Sequence, residues 1–147
     1  MDSRGRKLYT KALEAKYFLG AYHICDEAQL LSVDAERAFW HGAFVASILA
    51  AQAAIESYLR YHYASVSARL GFYDLIEYGS SNGYLTSGQA GRLHSLRRLR
   101  NQWVHASDPA DDRALFVDVE ELRSEQEERA KEVIELMFEI LFIDPGV

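Results

Sequence analysis

A ten-residue stretch at positions 96–105, LRRLRNQWVH, places arginines, an asparagine and a histidine within a single helical pattern. Histidine has an unperturbed pKa near ~6.5, so at neutral pH it serves as a proton donor or as a proton acceptor. Arginine holds phosphate or carboxylate oxygens with a planar, permanently charged fork. The stretch therefore contains the residue types needed for proton transfer beside a bound anion.

One basic residue of this stretch falls on the apolar side of the predicted helix. At about 100° per residue, the leucines and Trp103 share one side. The opposite side carries His94, Arg98, Asn101 and His105. Arg100 falls among the leucines, where an unpaired buried guanidinium would cost several kcal/mol. It must extend past its neighbours to solvent or meet a carboxylate, and Glu56 in AAIESYLR is the candidate. An ion pair of this kind could brace the helices without any chemistry.

The elements that must position these residues all have helical spacing. The pattern predicts a first helix from Leu8 to about Leu31. A second, alanine-rich helix is predicted from Asp34, as its N-cap, to His62, and its small side chains favour a central position. A short helix of one or two turns follows Gly71.

The second half of the chain continues the helical pattern. A turn-forming loop is predicted at Gly79–Gly83. Thr86 is expected to cap the helix that carries the motif, and a last helix is expected from about Asp118 to Ile143. We predict an all-α fold, an antiparallel bundle of four long helices plus a short additional helix, forming one domain over residues 1–147.

Composition limits the classes of function. A formal net charge of -6 argues against a chain that coats nucleic acid indiscriminately. No acidic residue lies between Glu77 and Asp108, however, so the motif helix is locally basic. The single cysteine excludes an internal disulfide and suits a reducing cytosol. No apolar run reaches ~18 residues, and no HExxH or GxxxxGK[ST] motif is present, so we expect a cytoplasmic protein without membrane span, metal site or cofactor.

The motif resembles a known family signature. Arg100-Asn101-Gln102-Trp103-Val104-His105 is similar to the R-N-x-x-x-H form of the Arg-x(4–6)-His signature of HEPN (higher eukaryotes and prokaryotes nucleotide-binding) domains. The preceding LRRL and the Ala-rich run ending in Glu56 also look like that family of helical bundles. The resemblance covers most of the chain as a helix pattern, but only about a dozen positions as specific residues.

The resemblance implies a metal-independent endoribonuclease. It assigns proton transfer to His105, the phosphate clamp to Arg100, and orientation of the histidine or phosphate binding to Asn101. Glu56 would support Arg100. RNA supplies its own nucleophile, the 2′-hydroxyl, so the implied products are a 2′,3′-cyclic phosphate and a free 5′-hydroxyl. Further contacts to RNA are expected from the basic residues around the motif: His94, Arg97 and Arg98.

The family also implies a homodimer whose two motifs share one cleft. On an ideal helix Arg100 and His105 lie about 140° apart, so their convergence needs the helix to end or distort near His105. A toxin or antiphage defence role, with a cognate antitoxin, is one expectation. The alternatives are a non-catalytic HEPN-fold binding module, such as the partner of a small nucleotidyltransferase, and a homodimeric helical scaffold.

Overall fold

A computed structural model describes residues 1–18, 24–63, 70–104 and 119–142, and these residues form six helices and no strand. The helices are α1 (Ser3–Tyr17), α2 (Asp26–Trp40), α3 (Phe44–His62), α4 (Phe72–Ser81), α5 (Ser87–Val104) and α6 (Val119–Leu141). The predicted all-α class is confirmed. None of the described helices has the length and apolar content needed to cross a bilayer.

The predicted first helix, from Leu8 to about Leu31, is wrong, because α1 ends at Tyr17 and α2 begins at Asp26 and continues through the predicted boundary. The described residues therefore form six helices instead of the five predicted. Asp34 lies inside α2 and does not cap a helix. The chain instead reverses after Trp40, where Gly42 adopts a left-handed φ of +79°. The Gly42 N–H donates to Phe39 O and the Ala43 N–H to Ala38 O, which is the glycine-dependent helix ending called a Schellman motif. The predicted single helix from 34 to 62 is therefore the end of α2, a tight turn and α3.

The helices around the motif are closer to their predictions. Thr86 caps α5 as predicted, because its Oγ1 accepts the Gln89 N–H at 3.1 Å while Gln89 Oε1 accepts the Thr86 N–H at 3.0 Å. The last helix, α6, begins and ends close to the predicted positions. The short helix α4 is longer than predicted and includes Gly79, which was expected in the loop. A Cβ at Gly79 would come within 2.7 Å of the Tyr63 hydroxyl, so this close approach favours glycine.

Helix α3 is central, as its alanine content predicted, and it packs against α2 and α6. Ala51 and Ala54 are completely buried, which allows the neighbouring helices to approach closely. The buried apolar residues form one continuous cluster with members from every helix. Its largest fully buried members include Phe39, Ile48, Ile55, Leu75, Leu93, Ile134, Met137 and Phe138. In this arrangement Arg100 of α5 comes next to Glu56 of α3.

Candidate functional site

Arg100 and Glu56 form the predicted contact between α5 and α3. Arg100 Nη1 lies 3.6 Å from Glu56 Oε2, and 46% of the Arg100 side chain remains exposed. The arginine therefore both reaches solvent and meets a carboxylate. Because nearly half of its surface is free, the guanidinium is accessible to an external anion.

Glu56 has a second partner that the sequence analysis did not identify. Arg60 Nη2 donates to Glu56 Oε1 at 2.9 Å, and Arg60 Nη1 donates to the carbonyl of Leu70 at 2.7 Å. The two glutamate oxygens are thus divided between Arg60 and Arg100. The spacing of four residues between Glu56 and Arg60 in IESYLR could have indicated this pair, since such residues are neighbours on a helix.

The other motif residues continue along α5. Asn101 and Gln102 are exposed, and Trp103 is half-buried against the core. His105, the predicted proton-transfer residue, lies outside the described residues, which reach only to Val104 in this part of the chain. The structure thus places Arg100, Glu56 and Asn101 relative to one another but not His105.

Two of the three predicted RNA-binding residues are engaged with α4. The Nε2 atom of His94 lies 2.7 Å from Glu77 Oε1, and the His94 side chain is only 15% exposed. Its ring packs on Tyr73 with centroids 4.9 Å apart. The Arg97 guanidinium lies 5.1 Å from the centre of the same tyrosine ring, a cation–π contact. These contacts fasten α5 to α4.

Arg98 differs from these two residues because it is exposed. Its Nη2 lies 3.4 Å from the hydroxyl of Ser95 on the same helix. Of the three predicted RNA contacts, Arg98 is thus the most accessible to a ligand. The sequence analysis missed the role of Tyr73 and Glu77, although their spacing of four residues places both on one face of α4.

A separate carboxyl pair lies between α1 and α2. Burial, together with the charge of Glu14 and a hydrogen bond to it, raises the pKa of Glu36 from 4.5 to about 8. The two glutamates line a groove of about 820 Å³ that also contains Phe18 and Phe142. This raised pKa keeps Glu36 mostly protonated at neutral pH, so that its carboxyl can donate a hydrogen bond to Glu14.

The described residues contain no group of three or more histidine, cysteine, aspartate or glutamate side chains that could hold a metal ion. Around Arg100 the described side chains include the carboxylate of Glu56 and, next along α5, the amide of Asn101. No family model matches the chain, and no curated protein or solved structure is similar to it at a significant level.

Proposed function

We propose that this chain is a metal-independent endoribonuclease of the HEPN type, acting in the cytoplasm. The observation that carries the proposal is the state of Arg100. Its Nη1 lies 3.6 Å from Glu56 Oε2, 46% of the side chain is exposed, and the residue begins the R-N-x-x-x-H motif. An arginine that is held by one carboxylate and still open to solvent is suited to bind a phosphate oxygen. A toxin or antiphage defence effector is the setting that this activity fits.

The proposed reaction is an in-line transesterification. The ribose 2′-oxygen attacks the adjacent phosphorus, and the bond from phosphorus to the 5′-oxygen breaks. A histidine takes the proton from the 2′-hydroxyl, and an acid on the opposite side gives a proton to the departing 5′-oxygen. His105 performs the proton transfer, Arg100 neutralises the charge that grows on the phosphate, and Asn101 supplies a further hydrogen bond. The products are a 2′,3′-cyclic phosphate and a 5′-hydroxyl.

A second histidine comes from a second copy of the chain in this proposal. Apolar side chains are exposed on both helices of the α2–α3 pair, namely Leu30 (63%) and Val33 (37%) on α2 and Val45 (44%) and Leu49 (37%) on α3. Glu56 follows Leu49 by two helical turns, about 10 Å along the axis. In this proposal the two copies meet through the part of the α2–α3 pair near Gly42, around Val45 and Leu49, which would bring both Arg100 sites to one interface and leave the Cys25 end of the pair open.

A second candidate function is a non-catalytic binding module, for instance the partner of a small nucleotidyltransferase. The observation that favours it is the sharing of Glu56 between Arg60 and Arg100. The Arg100 contact joins α5 to α3, while Arg60 lies on α3 beside Glu56 and also holds the Leu70 carbonyl. In this candidate Arg100 braces the bundle and performs no chemistry.

The test is cleavage of a labelled structured RNA by purified protein in EDTA. We expect the wild type to cut the RNA and His105→Ala to lose the activity. His41→Ala is the matched control, because His41 is exposed at the end of α2, away from Arg100. Equal inactivity of folded wild type and His105→Ala, or cleavage that depends on added metal, would contradict the proposal.

A further inference from the structure

A groove of about 530 Å³ opens between α2 and α3 next to the Arg100 site. Leu31 and Ala53 give it an apolar lining, and Tyr61 stands at its side with 56% of its surface exposed. An apolar lining beside an exposed aromatic ring is the environment in which unpaired RNA bases stack.

The groove and the Arg100 site share Glu56. This carboxylate lines the groove, together with its partner Arg60, and lies 3.6 Å from Arg100. A phosphate bound to Arg100 would therefore have its neighbouring nucleotide at the mouth of the groove. Both Glu56 oxygens already face arginines, so this carboxylate has little capacity left to recognise a base.

Glu27 is the carboxylate in the groove that can still accept a hydrogen bond from a base. Its Oε2 accepts the hydroxyl of Ser57 at 3.1 Å, which fixes the side chain against α3. Among the described residues its other oxygen, Oε1, has no hydrogen-bond partner, and the residue is exposed. An ionised carboxylate only accepts hydrogen bonds, so it favours a base that carries an amino group.

We propose that the groove between α2 and α3 binds the base next to the phosphate held by Arg100, and that Glu27 selects bases with an exocyclic amine. Adenine, cytosine and guanine carry such an amine, whereas uracil carries at C4, in place of the amine of cytosine, a carbonyl oxygen that a carboxylate repels. Tyr61 stacks on the selected base. The inference rests on the proposed ribonuclease function, since it names the nucleotide preference of the same site.

Cys25 supplies a direct test that does not depend on cleavage. It is the only cysteine of the chain and lines the groove, with its Sγ 3.7 Å from the Ser57 hydroxyl. The rate of its alkylation by N-ethylmaleimide therefore reports occupancy of the groove. The probes are cytidine 3′-monophosphate and uridine 3′-monophosphate. At roughly ten times its Kd, a nucleotide that fills the groove slows alkylation about tenfold.

In wild type we expect cytidine 3′-monophosphate to protect Cys25 and the uridine nucleotide at the same concentration not to protect it. In Glu27→Gln, both nucleotides should protect Cys25 equally, because an amide donates hydrogen bonds as well as accepting them. Glu125→Gln, an exposed position on α6, is the control and should keep the wild-type discrimination. Each rate is compared with that of the same variant without nucleotide.

The outcomes separate this inference from the proposed function. Cleavage of RNA without any protection of Cys25, or protection by both nucleotides in wild type, would overturn the base-selecting groove and leave the nuclease in place. Nucleotide-selective protection in a chain that cuts no RNA would support the groove and contradict the nuclease.

Discussion

Replacing Arg100 by glutamine separates a catalytic arginine from a structural one, because the two roles predict different magnitudes. The guanidinium lies 3.6 Å from Glu56, and the side chain is 46% exposed. Pairs of this exposure typically contribute about 0.2 to 1 kcal/mol. Glu56 also keeps its closer partner Arg60 at 2.9 Å in the variant. Arg100→Gln should therefore lower the free energy of unfolding by less than about 1 kcal/mol.

The expected effect on cleavage is much larger. A charged donor that stabilises a developing anion in a transition state is worth about 100-fold to 1000-fold in rate. That factor corresponds to roughly 2.7 to 4 kcal/mol, several times the expected loss of folding stability. Since the two effects differ in size, partial unfolding cannot account for the predicted loss of activity.

The assay measures urea unfolding and single-turnover cleavage of one labelled RNA for wild type, Arg100→Gln and Arg92→Gln. Arg92 is the matched control: it lies on the same helix, is 49% exposed and pairs with Glu139 at 3.0 Å. We expect Arg92→Gln to lose a similar small amount of stability and to retain activity. The reasoning fails if both variants cleave equally well, or if Arg100→Gln loses more than about 3 kcal/mol of stability.

Three further predictions concern the fold and the assembly. Burial raises the pKa of Glu36 from 4.5 to about 8, so the wild-type free energy of unfolding should fall by about 2 kcal/mol, after allowance for partial exposure, as the pH rises from 4.5 to 8. Glu36→Gln should abolish this fall. Equal shifts of the urea midpoint between pH 5 and 8.5 in both proteins would disprove the prediction. The double variant Val45→Glu and Leu49→Glu should be a folded monomer in analytical ultracentrifugation, because the two charges would disrupt the proposed dimer. An unchanged mass would exclude this surface of the α2–α3 pair as the dimer interface. Gly42→Ala should lower the free energy of unfolding by about 1 to 2 kcal/mol, because Gly42 has a left-handed φ of +79°. Gly91→Ala, at an exposed position of α5, should not lower it. Equal melting temperatures for the two variants would contradict the left-handed conformation at Gly42.

Helical spacing predicted the class of the fold and the placement of Arg100 because both depend on local periodicity. Arg100 stood out as a charge on an apolar arc, and the chain places it against Glu56. The boundary near Gly42 was missed because the apolar spacing continues across it, and only the left-handed conformation of one residue breaks the helix.

The partners of the basic residues were harder to predict. His94 and Arg97 looked like an open basic surface, but their environment depends on the preceding helix α4, which packs against this face of α5. Spacing within α5 contains no information on how another helix crosses it. The same reason explains why the groove beside Cys25 was not anticipated, since it forms only where α2 and α3 lie side by side.

The most direct test of the account is cleavage of an RNA that carries a single 2′-deoxy nucleotide at a mapped cleavage site, in EDTA, beside the all-ribose RNA. We predict that the all-ribose RNA yields a 2′,3′-cyclic phosphate and a 5′-hydroxyl, and that the deoxy substitution abolishes cleavage at that site alone. Continued cleavage at the deoxy position, or products with a 5′-phosphate, would contradict attack by the 2′-hydroxyl and with it the proposed chemistry of Arg100 and His105.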